Sequence, residues 1–486
     1  MNENNSNLLF IIPGFLYIGE YQKSLYHNSI PLSTLQLSSL LKERQEIKTQ
    51  IIDLRFESEI DSNLEGESSE TDKFKDPFIK VLENSNIQDF NNIGINCYTS
   101  YQFLYTDLIS RIIKEEFSNI NIILGGYHPT AVPEDFAYQG APYDFIIRGE
   151  ADTILLDLFD SKILNKVNSH RKPQILKSEK LIDINSLPFP DYDLFMNKYP
   201  YKDRFTFDFY MSRGCPYQCA FCATNFEFRS LTFQKFQENF EKLLEIVERY
   251  NIKIPKVGFA DQSFNRVQIS QKILDYILLN EFQHNFTFSC QSRIETIANK
   301  FELIDKFRKC GMLVGYGLES VNKNLLKEMH KTDNPLKYIE IAKKIINKYK
   351  DSNETYCRLN VLVGFPGENQ DTFNETLNFI NDNALHENIQ IGPSLFFNYP
   401  NVYVYQNMEY YEKKYGSDFI KEWWKLPLNP LKNAVPNKTS EDYSKKQLIY
   451  DYTNEYISIL KVFKRDTFAS LVSWKRFFNK WYKEMD

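Results

Sequence analysis

The sequence predicts an α/β protein built as an N-terminal doubly wound parallel sheet, a second run of βα units, and a mainly helical C-terminal region. Three observations carry this. Short runs rich in apolar and β-branched residues alternate with helix-period segments over the first 160 residues, the alternation resumes near residue 205, and beyond residue 400 only helical patterns remain. Strands that are apolar on both faces and alternate with helices belong to parallel sheets, because crossover helices cover both sides. The implied organisation is a first domain over 1–165, a linker over 166–204, a second domain over 205–400 and a helical region over 401–486.

In the first domain the expected strands are Leu8–Ile12, Thr49–Leu54, Asn92–Cys97, Asn121–Leu124 and Tyr143–Ile147, with helices near 33–45, 101–117 and 153–160. Open parallel sheets bind ligands beyond the carboxyl ends of their strands. The segments there are Pro13-Gly14-Phe15, Tyr98-Thr-Ser-Tyr101, Gly125-Gly-Tyr-His-Pro-Thr130 and Arg148-Gly-Glu-Ala-Asp152. Their glycines admit a bulky ligand and their hydroxyls offer hydrogen bonds. A dinucleotide fold would show G-x-G-x-x-G after the first strand, and none is present.

In the second domain the expected strands are Phe207–Met211, Lys256–Ala260, Thr287–Gln291, Leu313–Gly317, Arg358–Val363 and Leu395–Asn398, with helices such as Phe233–Tyr250 and Pro335–Tyr349. After its first strand comes Met211-Ser-Arg-Gly-Cys-Pro-Tyr-Gln-Cys-Ala-Phe-Cys222. The C-x3-C-x2-C spacing supplies three thiolates, Cys215, Cys219 and Cys222, from one short loop. A [4Fe–4S] cluster takes four ligands, so three leave one iron open. A zinc site would want a fourth Cys or His at matched spacing, and none follows; the nearest histidines are His170 and His284. The last helix places Trp474, Phe477, Phe478 and Trp481 on one stripe, which favours packing over membrane or RNA contact.

The bulk properties set limits. With 42% hydrophobic and 25% charged residues, the chain is an ordinary globular one. Its net charge of -6 argues against nucleic-acid binding driven by bulk electrostatics. The apolar run Leu8–Ile18 is too short to span a membrane and is broken by Pro13 and Gly14, so no membrane association is expected. Four of the seven cysteines, at 97, 290, 310 and 357, are scattered and form no disulfide framework, which fits a reducing cytoplasm.

The cysteine loop, with Phe221 before its last cysteine, resembles that of the radical S-adenosylmethionine (SAM) enzymes, and the six βα units resemble their partial (β/α)6 barrel. Gly125-Gly-Tyr-His-Pro-Thr-Ala-Val-Pro-Glu134, Ile147-Arg-Gly-Glu150 and Leu187-Pro-Phe-Pro-Asp191 resemble the Rossmann-like cobalamin-binding domain fused to one branch of that family. The resemblance implies Cys215, Cys219 and Cys222 as cluster ligands, with the open iron chelating SAM. It implies Phe221, Asp261, Arg293, Glu319 and Gly364 around SAM: Asp261 toward its amino group, Arg293 toward its carboxylate, and Gly364 beside adenine. It implies Pro13, Tyr98, Ser100, Gly125, Gly126, Gly149 and Glu150 around cobalamin. The D-x-H-x-x-G motif that gives cobalt a histidine elsewhere is absent, and His128 reads as a turn residue.

The function so implied is a cobalamin-dependent methyltransferase. SAM yields a 5′-deoxyadenosyl radical that activates an unactivated carbon, and methylcobalamin delivers the methyl group. A natural product or peptide is the expected substrate, and flavodoxin or ferredoxin the expected type of electron donor. The alternative is a radical SAM enzyme without methyl transfer, ring-forming, rearranging or epimerising, whose first domain is a scaffold. An epimerase needs a hydrogen-atom donor, and Cys357 is the candidate. Methylthiolation would want a second cluster, but Cys97 is the only cysteine in the first domain.

Overall fold

The computed structural model describes residues 7–14, 29–57, 68–160, 164, 172–199, 205–224, 226–351, 355–426, 430–456, 459, 478, 481–483 and 485. The chain divides into two compact units, Met1–Lys202 with Glu422–Leu431 and Asp203–Lys421 with Lys432–Asp486.

The first unit runs β1 (Asn7–Ile12), α1 (Leu32–Gln45), β2 (Lys48–Asp53), α2 (Ser68–Asn84), β3 (Asn92–Asn96), α3 (Phe103–Glu116), β4 (Asn121–Gly125), α4 (Tyr127–Ala131), β5 (Phe145–Arg148), α5 (Asp152–Asp160) and β6 (Gln174–Lys177). Its six strands are parallel in the order β2-β1-β3-β4-β5-β6. The order reverses between β1 and β3, so the carboxyl ends of these two strands flank the crevice where such sheets take ligands. Leu9 and Ile11 of β1, Ile93 and Ile95 of β3, and Ile109, Ile112 and Ile113 of α3 belong to one core.

Two elements lie outside the sequence expectation. Helix α2 contains Pro77, which removes an intrahelical bond, yet Phe74, Phe78, Val81 and Leu82 bury a stripe at i, i+4, i+7, i+8 that holds it. Strand β6 falls in the segment read as linker. It is a largely exposed edge strand, so it lacks an apolar signature. The Leu187–Asp191 segment lies along α1: Gln36 Nε2 donates to the Pro188 carbonyl at 2.6 Å, Ser39 Oγ to the Phe189 carbonyl at 2.6 Å, and Lys42 pairs with Asp191.

In the second unit β7 (Thr206–Phe209), β8 (Lys256–Phe259), β9 (Thr287–Arg293), β10 (Leu313–Glu319), β11 (Cys357–Val363) and β12 (Ile389–Leu395) form a parallel sheet in chain order. Helices connect them: α6 (Phe233–Arg249), α7 (Ser270–Leu279), α8 (Glu302–Lys309), α9 (Lys323–Glu328), α10 (Pro335–Lys350) and α11 (Gln370–Asn383). Local chemistry sets the helix starts. Thr232 accepts the Lys235 N–H before α6, and Asn334 accepts the Lys337 N–H with Pro335 at the first position of α10. Phe236 and Phe240 of α6 pack on Phe209 of β7. Strand β12 lies six residues before the expected start at Leu395. It contains Gly392-Pro393, a pair unsuited to a central strand, but an edge strand tolerates a proline.

Beyond β12, Phe478 and Trp481 are buried and stacked at 5.5 Å, with Phe478 also on Tyr452, as expected of a packing stripe. Trp474 and Phe477 lie outside the described residues. Among the described residues no helix is long and apolar enough to cross a membrane.

Gly126, after β4, has φ +118°, and a Cβ there would lie 2.3 Å from the Cys97 carbonyl oxygen. Gly140 has φ +79° but open space around it. Gly126→Ala is expected to destabilise the first unit by about 3 kcal/mol and Gly140→Ala by only about 1 kcal/mol. Chemical denaturation of the two variants checks this, and equal costs would remove the steric reason for Gly126.

Candidate active site

The cysteine loop follows β7 and is tied down along its length. Ser212–Arg213 pairs antiparallel with Arg229–Ser230, and the Cys215 N–H donates to the Phe226 carbonyl at 3.3 Å. Gly214 has φ +75°, and a Cβ there would lie 2.3 Å from the Glu227 carbonyl oxygen, so only glycine closes this turn. In the middle of the loop Ala220 is fully buried, donates to the Met329 carbonyl at 2.9 Å and accepts from the Val404 N–H at 3.2 Å. Cys215, Cys219 and Cys222 are each left half-buried.

Asp261, just past β8, is buried. Its carboxylate accepts the Met211 N–H at 3.1 Å and the Ser212 hydroxyl. Burial pushes this carboxyl up to about 7, against the pull of those two donors. Expected beside the SAM amino group, it instead engages both oxygens in holding the entry to the cysteine loop.

Arg293, the last residue of β9, is buried at the loop's other side. Nη1 donates to Cys219 Sγ at 2.9 Å, Nη2 to Glu295 Oε1 at 2.9 Å and also to the Lys331 carbonyl, and the guanidinium lies 4.0 Å from the Tyr217 ring centroid. Burial opposes its charge, but the Cys219 sulfur and the Glu295 carboxylate outweigh that and hold it as a cation. Its Nε is buried with no hydrogen-bond partner. Glu319 ends β10 at φ +60°, where the pairing with β11 shifts register. Its Oε1 accepts from Lys331 Nζ at 2.9 Å in a buried ion pair, and that ammonium lies 5.8 Å from the Phe221 ring centroid. Both charged ends lie over Gly317, where a Cβ would come within 2.7 Å of each. Cys219, Arg293, Glu319 and Phe221 are therefore joined through Lys331, a residue without a sequence signal.

Gly364, expected beside adenine, has φ +86°, and on the side where a Cβ would point it packs on Leu448, whose Cδ2 would lie 2.8 Å from that Cβ. One expectation is corrected by geometry. Cys357 is fully buried as the first residue of β11, at the end opposite the cysteine loop. A seven-residue strand is about 20 Å long, so this thiol is no hydrogen-atom donor at the loop.

The donor set fits an iron–sulfur cluster. Burial raises the thiol pKa values of Cys215 and Cys222, so iron binding must drive off their protons. Among the described residues no three His, Cys, Asp or Glu side chains are grouped around a single ion. In a cluster each thiolate has its own iron, and the thiols need not converge.

In the first unit the crevice edge is open. Tyr98 is 53% exposed, a Cβ at Gly149 would meet nothing within 4 Å, and one at Gly125 only Ile147 at 4.0 Å. Glu150 is half-buried. Pro13 and Ser100 serve the loops themselves: Gln102 Nε2 donates to the Pro13 carbonyl at 2.8 Å, and Ser100 Oγ lies 2.7 Å from His128 Nδ1. His128 is buried with Nε2 3.4 Å from Asp135 Oδ2, so it presents no ring nitrogen to a metal. Asp135 also accepts from Trp424 Nε1 at 2.6 Å and pairs with Lys425 at 2.7 Å. These two residues, from a segment read as part of the helical tail, gave no sequence signal.

Two outcomes are expected. Lys331→Met strands the buried Glu319 charge and should cost about 3–5 kcal/mol, much of it recovered in Lys331→Met/Glu319→Gln; denaturation midpoints that fail to recover would show the pair is not coupled. Glu368, buried and accepting the Gly364 N–H at 2.5 Å, is pushed up from 4.5 to about 8 by burial. The native state keeps a proton that the unfolded chain loses first, so this contribution to stability is full below about pH 4.5 and lost as pH rises through about 8. Glu368→Gln should flatten the fall in stability over that window, and parallel curves for the two proteins would refute the assignment.

Residues 209–380 match the family model of the Radical SAM superfamily. A protein of Pyrococcus horikoshii described as the uncharacterized methyltransferase PH0819 is 26% identical over 365 residues, 72% of each chain. The bacteriochlorophyllide d C-12(1)-methyltransferase of Chlorobaculum tepidum is 22% identical over 269 residues, 54% of this chain and 55% of that one, so the match spans about half of its length. Among solved structures, the cobalamin-dependent SAM radical enzyme OxsB with aqua-cobalamin bound aligns with a TM-score of 0.65 at 16% identity, covering 98% of this chain and 72% of that one. The radical SAM methyltransferase TsrM from Kitasatospora setae, with cobalamin and a [4Fe–4S] cluster, aligns with a TM-score of 0.57 at 13% identity, covering 82% and 77%. At these identities the likeness to the structures is one of fold. The matched segment begins at the end of β7 and contains the whole three-thiol loop, so residues 209–380 carry a radical SAM domain, the domain of enzymes whose chemistry uses SAM and a [4Fe–4S] cluster.

Proposed function

We propose that this enzyme is a cobalamin-dependent methyltransferase acting on an unactivated carbon of a natural-product or peptide substrate. The observation that carries the reading is the presence, in one chain, of the three-thiol loop at the carboxyl end of a parallel barrel sheet and of a second parallel sheet whose crevice edge is open at Tyr98, Gly125 and Gly149. The methyltransferase names of the two relatives and the cobalamin in the two similar structures support it.

Cys215, Cys219 and Cys222 would hold the cluster, and Tyr98, Gly125, Gly149 and Glu150 would border cobalamin. When bound, the cluster supplies the electron that cleaves SAM, and cobalamin supplies a carrier for the methyl group. Asp261 holds the start of the cysteine loop through Met211 and Ser212. Arg293 places a fixed positive charge 2.9 Å from Cys219 Sγ, where the sulfur of a cluster ligand would sit. Its unpartnered Nε and the Lys331 ammonium are the donors for the SAM carboxylate, while Glu319 orients that ammonium. The Phe221 ring lies 5.8 Å from that ammonium. All seven cysteines are free, which suits a reducing cytoplasm and an electron donor of the flavodoxin or ferredoxin type. The epimerase alternative loses its hydrogen donor, because Cys357 lies at the wrong end of β11.

Anaerobic reconstitution with iron, sulfide and hydroxocobalamin, then desalting and metal analysis, should give about four irons and about one cobalt per chain. Ala at Cys215, Cys219 or Cys222 should abolish the cluster and SAM cleavage, whereas Cys357→Ala should retain both. Iron retained without cobalt would remove methyl transfer through cobalamin and leave a ring-forming or rearranging radical enzyme with a scaffold domain.

A further inference from the structure

The barrel sheet has one apolar and one polar face. On the apolar face Phe207, Phe209, Phe288, Cys290, Leu359 and Val361 are buried. On the other, register sets polar side chains against glycines. Gly258 of β8 pairs with Asp208 of β7, and a Cβ there would lie 2.9 Å from Asp208 Oδ1. Gly315 of β10 pairs with Gln291 of β9, and its Cβ would lie 2.5 Å from Gln291 Oε1. Gly392 of β12 pairs with Asn360 of β11, and its Cβ would lie 2.1 Å from Arg358 Nε. Asn360 Nδ2 donates to Gln291 Oε1 at 2.9 Å.

Side chains thus come from β7, β9 and β11, and room for them from β8, β10 and β12. Closed barrels fill such layers with branched apolar residues. Here each polar side chain lies flat over a neighbouring glycine and makes a floor, not a plug. Gln291 and Arg358 remain exposed, and Asp208 and Asn360 half-buried. A merely solvated face would not need glycine in three strand interiors, where it weakens the sheet. One step toward the cysteine loop, the Glu319–Lys331 pair lies over Gly317 in the same way.

We propose that this polar floor is the substrate seat, and that the substrate is hydrophilic: an anionic oxygen group faces Arg358, and amide groups face the Gln291–Asn360 pair. That is the chemistry of a peptide or an amino-acid-derived acid, and it disfavours a flat apolar ring. The inference rests on the enzyme reading above and adds the substrate class to it. A guanidinium recognises carboxylate or phosphate through paired hydrogen bonds, and a fixed pair of side-chain amides matches a peptide group.

The test uses the reconstituted full chain and ligand-observed NMR with four probes: N-acetylglycylglycine, its C-terminal amide, inorganic phosphate and indole. The acid should bind at least about tenfold more tightly than the amide. Arg358→Gln should abolish that preference, Arg358→Lys should keep part of it, and Gly315→Leu, which overfills the floor, should abolish binding. Phosphate binding that Arg358→Gln also removes would support the anion seat and identify phosphate as a second source of the charge. Equal binding of acid and amide, preference for indole, binding indifferent to Arg358→Gln, or no binding of any probe would overturn the proposal. Iron content and melting temperature establish that each variant is folded. A chain without iron would fail the enzyme reading and still leave probe binding measurable, so the two failures are distinct.

Discussion

The chemistry of the second unit hangs on one buried cation. Arg293 touches the sulfur of Cys219 and the face of Tyr217 in the cysteine loop, the carboxylate of Glu295 just past its own strand, and the carbonyl of Lys331. A guanidinium can do this because its donors form a planar fork that leaves its face free for an aromatic ring. Taking such a group out of water is expensive unless its partners are charged and well placed. Here they are, and their arrangement sets where the cysteine loop, the turn before Lys331 and the end of β9 sit relative to one another. Asp261 does the matching work at the loop's entry, where its two oxygens take the Met211 N–H and the Ser212 hydroxyl. The three thiols are held from both sides before any iron arrives.

The alternation along the barrel strands assigns different tasks to the two faces. Apolar residues bury the helix-facing side and provide the driving force for folding. The other side gives up that gain: glycines at 258, 315, 317 and 392 remove side chains that would otherwise pack, and polar groups lie across the gaps. Natural barrels accept a loss of this kind where something must be bound. The ion pair of Glu319 and Lys331, over Gly317, continues this polar surface toward the cysteine loop.

What was legible in the sequence follows the range of the interactions involved. The cysteine loop was readable because its three ligands lie within eight residues and need no tertiary contact to be recognised. Arg293 and Glu319 could be singled out because each ends a barrel strand, where polar residues gather at the carboxyl end. The same rule, applied to direction, excludes Cys357, which begins its strand. Lys331 follows a short helix and carries no periodic mark; only the fold brings it to Glu319. Nothing local reveals that Leu448, more than eighty residues later, packs beside Gly364. Strand β6 has no buried face to leave a pattern, and β12 hides behind Gly392-Pro393.

The first unit shows the same limit in another form. His128 follows two glycines in a loop at the crevice edge, where a free imidazole would be a natural metal ligand. The fold bonds Nδ1 to Ser100 and buries Nε2 3.4 Å from Asp135, and burial lowers the pKa of the ring, favouring the neutral form. Asp135 is in turn claimed by Trp424 and Lys425, and bonds from His128, Lys425 and Trp424 outweigh burial to keep it ionised. Trp423 packs on Tyr101 and Trp424 on His128. A segment some 290 residues downstream therefore locks the loops after β3 and β4, leaving Tyr98, Gly125 and Gly149 as the open margin of the crevice. A cofactor seated there would meet a preformed rim at which His128 offers its metal no imidazole, which agrees with the absence of a D-x-H-x-x-G motif from the sequence.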